Sequence, residues 1–346
     1  MRVLVVDDSV VVRTLLQAVL ESNGAEVRVA ESGEQALEML ERYTPDIVTM
    51  DVHMPGMDGY TTISRILKQY ALPVVVLTAS ASAADSATAM KGLDVGALAV
   101  LEKPTGPDAP DFAQRIDQLM RTLRVMSQVK VVRRHRPVTE RISAAPTALV
   151  GQAAISAPKL VAIAASAGGP AALKALLQRL QPGQPWALIL VQHIAPGFLT
   201  SFCQWLQSIT SMSVEIGRDG QLLQAGRLYL TPDGHQVGVA SDRRLRLEAC
   251  QPEQVFCPSA DYLFHSVART LGRAAIGVQL SGMGRDGAVG LAELKRAGAL
   301  TLVQAPSDAV IDSMPLAAID LQAACEVMSA QGIAEMLNTI AVQLTT

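Results

Sequence analysis

Met1-Arg2-Val3-Leu4-Val5-Val6-Asp7-Asp8-Ser9 opens the chain with a short apolar run that ends abruptly in two acids. Four consecutive aliphatic residues bounded by charge read as a strand covered on both faces, the situation of a parallel sheet rather than of a half-wet antiparallel one. The same pattern returns at Asp46–Met50, Pro73–Leu77 and Leu98–Leu101. Between these runs, Thr14–Ser22, Glu34–Arg42 and Thr61–Gln69 carry apolar residues at helical spacing, and Phe112–Val125 reads as a closing helix. Strands alternating with helices imply a parallel sheet with right-handed crossovers.

From Ser127 to Pro158 the rhythm stops. Arg133, Arg134, His135 and Arg136 are followed by Pro, Ser, Thr and Ala without periodicity, the composition of a linker. The rhythm resumes at Leu160. Val161–Ala165 and Trp186–Gln192 read as strands, Pro170–Leu180 and Phe198–Ile209 as helices. Met212–Leu247 contains short β-like pieces divided by Asp-Gly, Ala-Gly and Pro-Asp-Gly turns. Ser259 is placed to cap a helix over Ala260–Leu271. Ala275–Leu280 and Leu300–Gln304 are further strands, with a helix over Asp286–Arg296 between them. The division expected is an α/β domain over 1–125, a linker over 126–158 and a second α/β domain over 159–346.

The chain's 346 residues suffice for two cores. Its net charge of −3 conceals an asymmetry, about eight negative over residues 1–120 against about five positive over the rest. That is no nucleic-acid signature, and the second half is too long an α/β unit for a helix-turn-helix output. The first residues turn acidic too soon for a signal peptide, and no run approaches the roughly 20 apolar residues of a membrane span. A cytoplasmic protein is expected. Cys203, Cys250, Cys257 and Cys325 are scattered, so reduced thiols are expected rather than zinc or disulfides.

In a parallel sheet the carboxyl ends of the strands form the ligand crevice. Asp7 and Asp8 end the first strand and Asp51 the third; Thr78 follows the fourth and Lys103 the fifth. Three clustered carboxylates repel unless a cation joins them, and an oxygen-only set suits Mg²⁺. The hydroxyl and ammonium could hold phosphoryl oxygens while Asp51 acts as nucleophile. Asp-Asp-Ser at 7–9, Asp-Val-His-Met-Pro-Gly-Met-Asp-Gly at 51–59, Leu-Thr-Ala at 77–79 and Lys-Pro at 103–104 resemble the response-regulator receiver family. The resemblance covers residues 1–120 and implies a flavodoxin-like fold phosphorylated on Asp51 by a histidine kinase. It further implies Mg²⁺ held by Asp8, Asp51 and the His53 carbonyl, with Asp7 acting through water. One departure is Val100, where the family commonly has an aromatic switch residue.

In the second half, Ser166 follows Val161–Ala165 and precedes Ala167-Gly168-Gly169-Pro170. A hydroxyl on a strand-to-helix turn is presented above the sheet, with small neighbours that let a carbonyl approach. His193 follows the next strand, and Asp286 lies in the turn after Ala275–Leu280. Singly, each has an ordinary structural reading: a turn serine, a packed histidine, an N-cap aspartate. Jointly they leave strands on what should be one rim, as a Ser-His-Asp line requires. The glycines around Met283 free backbone N–H groups for an oxyanion. Ala-Ser-Ala-Gly-Gly-Pro at 165–170, Gln-His-Ile-Ala-Pro-Gly-Phe at 192–198, Pro-Ser-Ala-Asp-Tyr-Leu-Phe-His-Ser-Val-Ala at 258–268 and Ser-Gly-Met-Gly-Arg-Asp-Gly-Ala at 281–288 resemble the chemotaxis protein-glutamate methylesterase (CheB-type) family.

That resemblance implies a Rossmann-like parallel-sheet esterase domain. Its catalytic residues are Ser166, His193 and Asp286, and it uses no cofactor of its own. It implies as substrates the glutamate methyl esters, and the glutamines, of methyl-accepting chemoreceptors. Nucleic acid and membrane insertion have no place in it. This sequence departs from the family at Ala164, at Ala167, at Val255-Phe256-Cys257 where Arg-His-Arg is usual, and at Asp312-Ser313-Met314-Pro315. Those departures keep a second expectation open, a signalling adaptor with weak or no catalysis.

Overall fold

The computed structural model describes residues 1–79, 90–129 and 158–345; the basic cluster at 133–136 lies outside them. The first sheet comprises β1 (Arg2–Val6), β2 (Glu26–Ala30), β3 (Ile47–Asp51), β4 (Val74–Thr78) and β5 (Ala99–Glu102), in the order β2-β1-β3-β4-β5. All four pairings are parallel. The order reverses between β1 and β3, where an open α/β sheet leaves its crevice. Asp7 and Asp51 border that point. β2 is absent from the apolar runs read above because Glu26 and Arg28 interrupt it; as an edge strand it buries only one side. Val100, at the departure from the family's aromatic, is buried within β5.

The second sheet has seven strands. They are β6 (Leu160–Ala165), β7 (Ala187–Gln192), β8 (Ser213–Ile216), β9 (Arg227–Leu230), β12 (Ala275–Gln279), β13 (Leu300–Gln304) and β14 (Glu326–Met328), ordered β14-β13-β12-β6-β7-β9-β8 and all parallel. An antiparallel pair, β10 (His235–Val239) and β11 (Leu245–Ala249), stands apart from it. The chain runs outward from β6 through β7 to the edge strand β8, steps back to β9 between them, and then returns on the other side of β6 as β12. The switch point therefore lies beside β6, and the turns after β6, β7 and β12 crowd one rim. β6, β7 and β12 are buried along their whole lengths, which is why they read as unbroken apolar runs.

The two halves meet. Ala167 and Ile311 of the second half are buried in one apolar cluster with Leu101, Leu119 and Met120 of the first, and Met283 packs against its edge. A crevice between the halves is lined by Glu102, Arg115 and Leu119 on one side and Ala195, Pro196 and Phe198 on the other. Lys174 Nζ reaches Asp94 Oδ1 at 2.6 Å across the same boundary.

The cysteine expectation needs correcting. Cys250 and Cys257 are joined by a disulfide, while Cys203 and Cys325 are free. Seven residues of separation looked unpaired in a linear reading. The Gln254 N–H bonds to the Gln251 carbonyl at 3.0 Å, folding the segment back until the two Cα atoms are 6.1 Å apart, within bridging range.

Candidate active site

At the first rim, Asp7, Asp8 and Asp51 bring carboxylate oxygens within 4.8 Å of one another. Asp7 and Asp51 are buried; Asp8 is exposed. Lys103 Nζ bridges Asp7 Oδ2 at 2.7 Å and Asp51 Oδ2 at 2.6 Å. Asp51 Oδ1 accepts from the His53 N–H at 3.1 Å. Burial pushes the Asp7 carboxyl above its ordinary range, against the pull of Lys103. Burial lowers the Lys103 ammonium, but its bonds to Asp51 and Asp7 outweigh that and hold it above its usual value. Thr78 is buried at the end of β4, and its carbonyl receives the Lys103 N–H at 2.7 Å. Three carboxylates facing one ammonium leave an excess of negative charge, and oxygen donors of this kind fit a hard divalent cation.

At the second rim, Ser166 is the first residue beyond β6 and His193 the first beyond β7. Ala165 pairs with Gln192, and the His193 N–H bonds to the Ala165 carbonyl at 3.0 Å, so the two stand side by side. Ser166 is 9% exposed. Its own N–H donates to the Ser281 carbonyl at 3.0 Å, tying the turn after β6 to the turn after β12. A Cβ on Gly282 would lie 2.8 Å from the Ser166 Cβ, so only glycine lets these turns close. Gly168, at φ +75°, makes the left-handed step that starts the helix Gly169–Leu177 just past the hydroxyl.

Of the three, the structure joins His193 to Asp286; no hydrogen bond links Ser166 Oγ to His193 among the described residues. Asp286 Oδ2 lies 3.0 Å from His193 Nε2. The same oxygen accepts from the Ala260 N–H at 2.7 Å, and Oδ1 accepts from Ser259 Oγ at 2.8 Å and the Asp261 N–H at 3.1 Å. Asp286 does not begin the helix that follows it, as the sequence suggested; that helix spans Ala288–Arg296 behind Gly287. It sits on the amino terminus of another helix, Ala260–Thr270, where free N–H groups and the helix dipole favour an anion. Burial to 4% exposure raises the carboxyl, but the His193 ring and the Ala260 and Asp261 N–H groups prevail and hold it below its usual range. Ser259 caps that helix as expected, accepting from the Tyr262 N–H at 3.3 Å.

The Gly282 N–H is taken by the Ile311 carbonyl at 3.1 Å and the Gly284 N–H by Ser313 Oγ at 3.1 Å. That leaves the intervening Met283 N–H without a partner among the described residues.

The sequence profile of the family described as CheB methylesterase matches residues 161–337, and that of the response regulator receiver domain matches residues 3–117. The chain belongs to the CheB methylesterase family. A Hahella chejuensis protein named protein-glutamate methylesterase/protein-glutamine glutaminase 3 is 46% identical over 99% of both chains. A Myxococcus xanthus protein of the same name, numbered 4, is 39% identical over 98% of this chain and 96% of its own. The crystal structure of the Thermotoga maritima CheB methylesterase catalytic domain is 28% identical, with a TM-score of 0.51, and covers 53% of this chain and 99% of that one.

Within this CheB-family chain, several supports escaped the sequence reading. Gln192 Nε2 donates to both the Ser166 carbonyl, at 2.8 Å, and the His193 carbonyl, at 2.9 Å. Gln279 Nε2 donates to the Asp286 carbonyl at 2.9 Å, and Gln304 Oε1 receives the Ser281 N–H at 2.7 Å. Each is a polar residue ending an apolar strand, and that was the available signal. The unusual segment Asp312-Ser313-Met314-Pro315 braces the glycine turn, since the Met314 N–H and Ser313 Oγ both donate to the Gly282 carbonyl. Ala164 is buried in β6, and Ala167 packs toward the first domain. Phe256 stacks on the His193 ring.

Proposed function

We propose that this chain is a phosphorylation-regulated hydrolase that removes methyl esters from chemoreceptor glutamates and deamidates receptor glutamines. A receiver over 1–125 and a linker over 126–158 precede an esterase over 159–346. The observation that carries the reading is the Asp286–His193 pair, which joins the turns after β12 and β7, the two strands that flank β6 and its Ser166 turn. With Nε2–H donating to Asp286, the imidazole keeps Nδ1 as its basic nitrogen. His193 Nδ1 takes the Ser166 proton as Oγ attacks the ester carbonyl, and the buried carboxylate stabilises the imidazolium that forms. The Met283 N–H is the oxyanion donor. His193 returns the proton to the departing methoxide, which leaves as methanol. Water, deprotonated by the same imidazole, then attacks the acyl-serine, releasing the glutamate and restoring the hydroxyl. A glutamine follows the same course with ammonia as leaving group.

Asp51 is the phosphate acceptor, supplied by a histidine kinase. Mg²⁺ would be held by Asp8, Asp51 and the His53 carbonyl, with Asp7 through water, and would neutralise charge on the phosphoryl group. Lys103 and Thr78 receive phosphoryl oxygens, so Lys103 gives up part of its hold on Asp51. Lys103 follows Leu101 and Glu102, which face the Ala195–Phe198 segment just past His193. That adjacency favours a receiver that restricts the esterase cleft until phosphorylation loosens the contact. A cytoplasmic location suits these partners, and no helix among the described residues is long and apolar enough to cross a membrane. Full-length relatives named as hydrolases favour the enzyme over the adaptor. The test is methanol release from methylated receptor by wild type and by Ser166→Ala. Loss of release in the variant is expected; equal release in both overturns the reading.

A further inference from the structure

We propose that Phe256 is a positioning residue for His193, acting through its ring face; the inference rests on His193 being the base described above. The two rings lie 8° from parallel with centroids 5.2 Å apart, an offset stack. Phe256 is nevertheless 38% exposed, and Val255 beside it 87% exposed, so core burial does not account for the placement.

The segment that carries Phe256 is tied down independently of the stack. The Cys250–Cys257 disulfide closes it, next to Phe256 itself. The Cys250 N–H bonds to the Gly234 carbonyl at 2.9 Å. Buried Gln236 donates Nε2 to the Phe256 carbonyl at 2.9 Å and to Gln254 Oε1 at 3.2 Å, and accepts the Ser259 N–H at 2.7 Å. The ring tip comes near the glycine turn around Met283, 4.0 Å from where a Gly284 Cβ would stand.

The two constraints on the imidazole are complementary. The Asp286 bond fixes one edge but permits rotation about the Nε2–Oδ2 line. A flat surface against the face removes that rotation and so fixes the direction in which Nδ1 points. Small errors in aim of a catalytic group cost rate rather than substrate affinity. A flat aromatic ring supplies this surface whether or not it carries a hydroxyl, whereas a branched aliphatic does not.

The experiment compares Phe256→Ala, Phe256→Leu and Phe256→Tyr with wild type and Ser166→Ala in the full chain, using methylated receptor. Ala and Leu are expected to lower kcat on the order of tenfold with KM nearly unchanged, and Tyr to retain most activity. The His193 Hε1 proton resonance, shielded by the stacked ring, should move downfield in Ala and Leu but not in Tyr. Wild-type kcat in Ala or Leu, a rise in KM alone, an unmoved Hε1 resonance, or a Tyr variant as slow as Ala would each overturn the proposal. An active Ser166→Ala overturns the underlying acyl-transfer reading instead, and the resonance is read without reference to activity.

Discussion

Replacing Asp286 by asparagine removes one charge and half of the acceptor capacity at the best-connected side chain of the site. The carboxylate accepts four hydrogen bonds, two at each oxygen. An amide can serve only one pair with its oxygen. With its oxygen toward Ser259 and Asp261, its NH₂ would meet both the Ala260 N–H, at 2.7 Å in the wild type, and His193 Nε2–H. With its oxygen toward His193 and Ala260, its NH₂ meets Ser259 Oγ, which can turn to accept, and the Asp261 N–H, which cannot. The second arrangement costs less and preserves the imidazole tautomer. Its penalty is one poorly met buried donor, about 1–3 kcal/mol, or a fall in Tm of roughly 3–10 °C. The rate penalty comes from the missing anion beside the imidazolium. We expect kcat to drop about 10²–10⁴-fold, the upper figure being that of a carboxylate-to-amide change that also reverses the tautomer.

Methanol release and thermal unfolding of the same preparation read both penalties. The pH dependence follows from the sign of the shift. The folded carboxyl lies below its unfolded value of 3.8, so its stabilisation is present in full above that pH and fades as pH falls through the folded value. The gap in Tm between wild type and variant should narrow only below about pH 4. A folded Asp286→Asn enzyme with wild-type kcat would refute the reasoning, because it would mean that the imidazole needs no anion.

Asp51→Asn should abolish labelling by a small phosphodonor such as acetyl phosphate; unchanged labelling relocates the phosphosite. Removing residues 1–150 should raise esterase activity measured without phosphodonor, because Ala167, Met283 and Ile311 lose the domain that packs on them; a folded fragment no faster than the full chain contradicts a restraining receiver. Replacing Cys250 and Cys257 together by serine reopens a short loop and should cost up to about 2–3 kcal/mol of stability. Denaturant unfolding checks it, and an unchanged midpoint would mean that the Gln236 bonds alone secure the segment.

Much of this was legible because burial on both faces leaves a simple trace. β1, β3, β4, β6, β7 and β12 are fully or almost fully buried, so their apolar runs stood out, and the polar residue ending each run marked a rim. Edge strands such as β2 bury one side only and blend into their surroundings. The strand-end positions of Asp7, Asp51, Ser166 and His193 were therefore easy to read. Asp286 was singled out in the sequence, but its surroundings were not: besides His193, its partners are the Ser259 hydroxyl and the N–H groups that open a helix about 25 residues earlier, and spacing does not reveal which helix end faces which turn. The same holds for Gln192, Gln279 and Gln304, whose side chains fold back onto carbonyls and N–H groups of neighbouring turns. The Cys250–Cys257 bond and the Phe256 stack depend on how one loop doubles back, which no periodicity records.

The most direct test of a nucleophilic serine served by His193 is to trap its acyl-type adduct. Incubation with a fluorophosphonate, followed by peptide mass spectrometry, should place one adduct on Ser166 in wild type and little or none in His193→Ala. An adduct on another residue, or labelling of Ser166 that is indifferent to His193, would contradict the account.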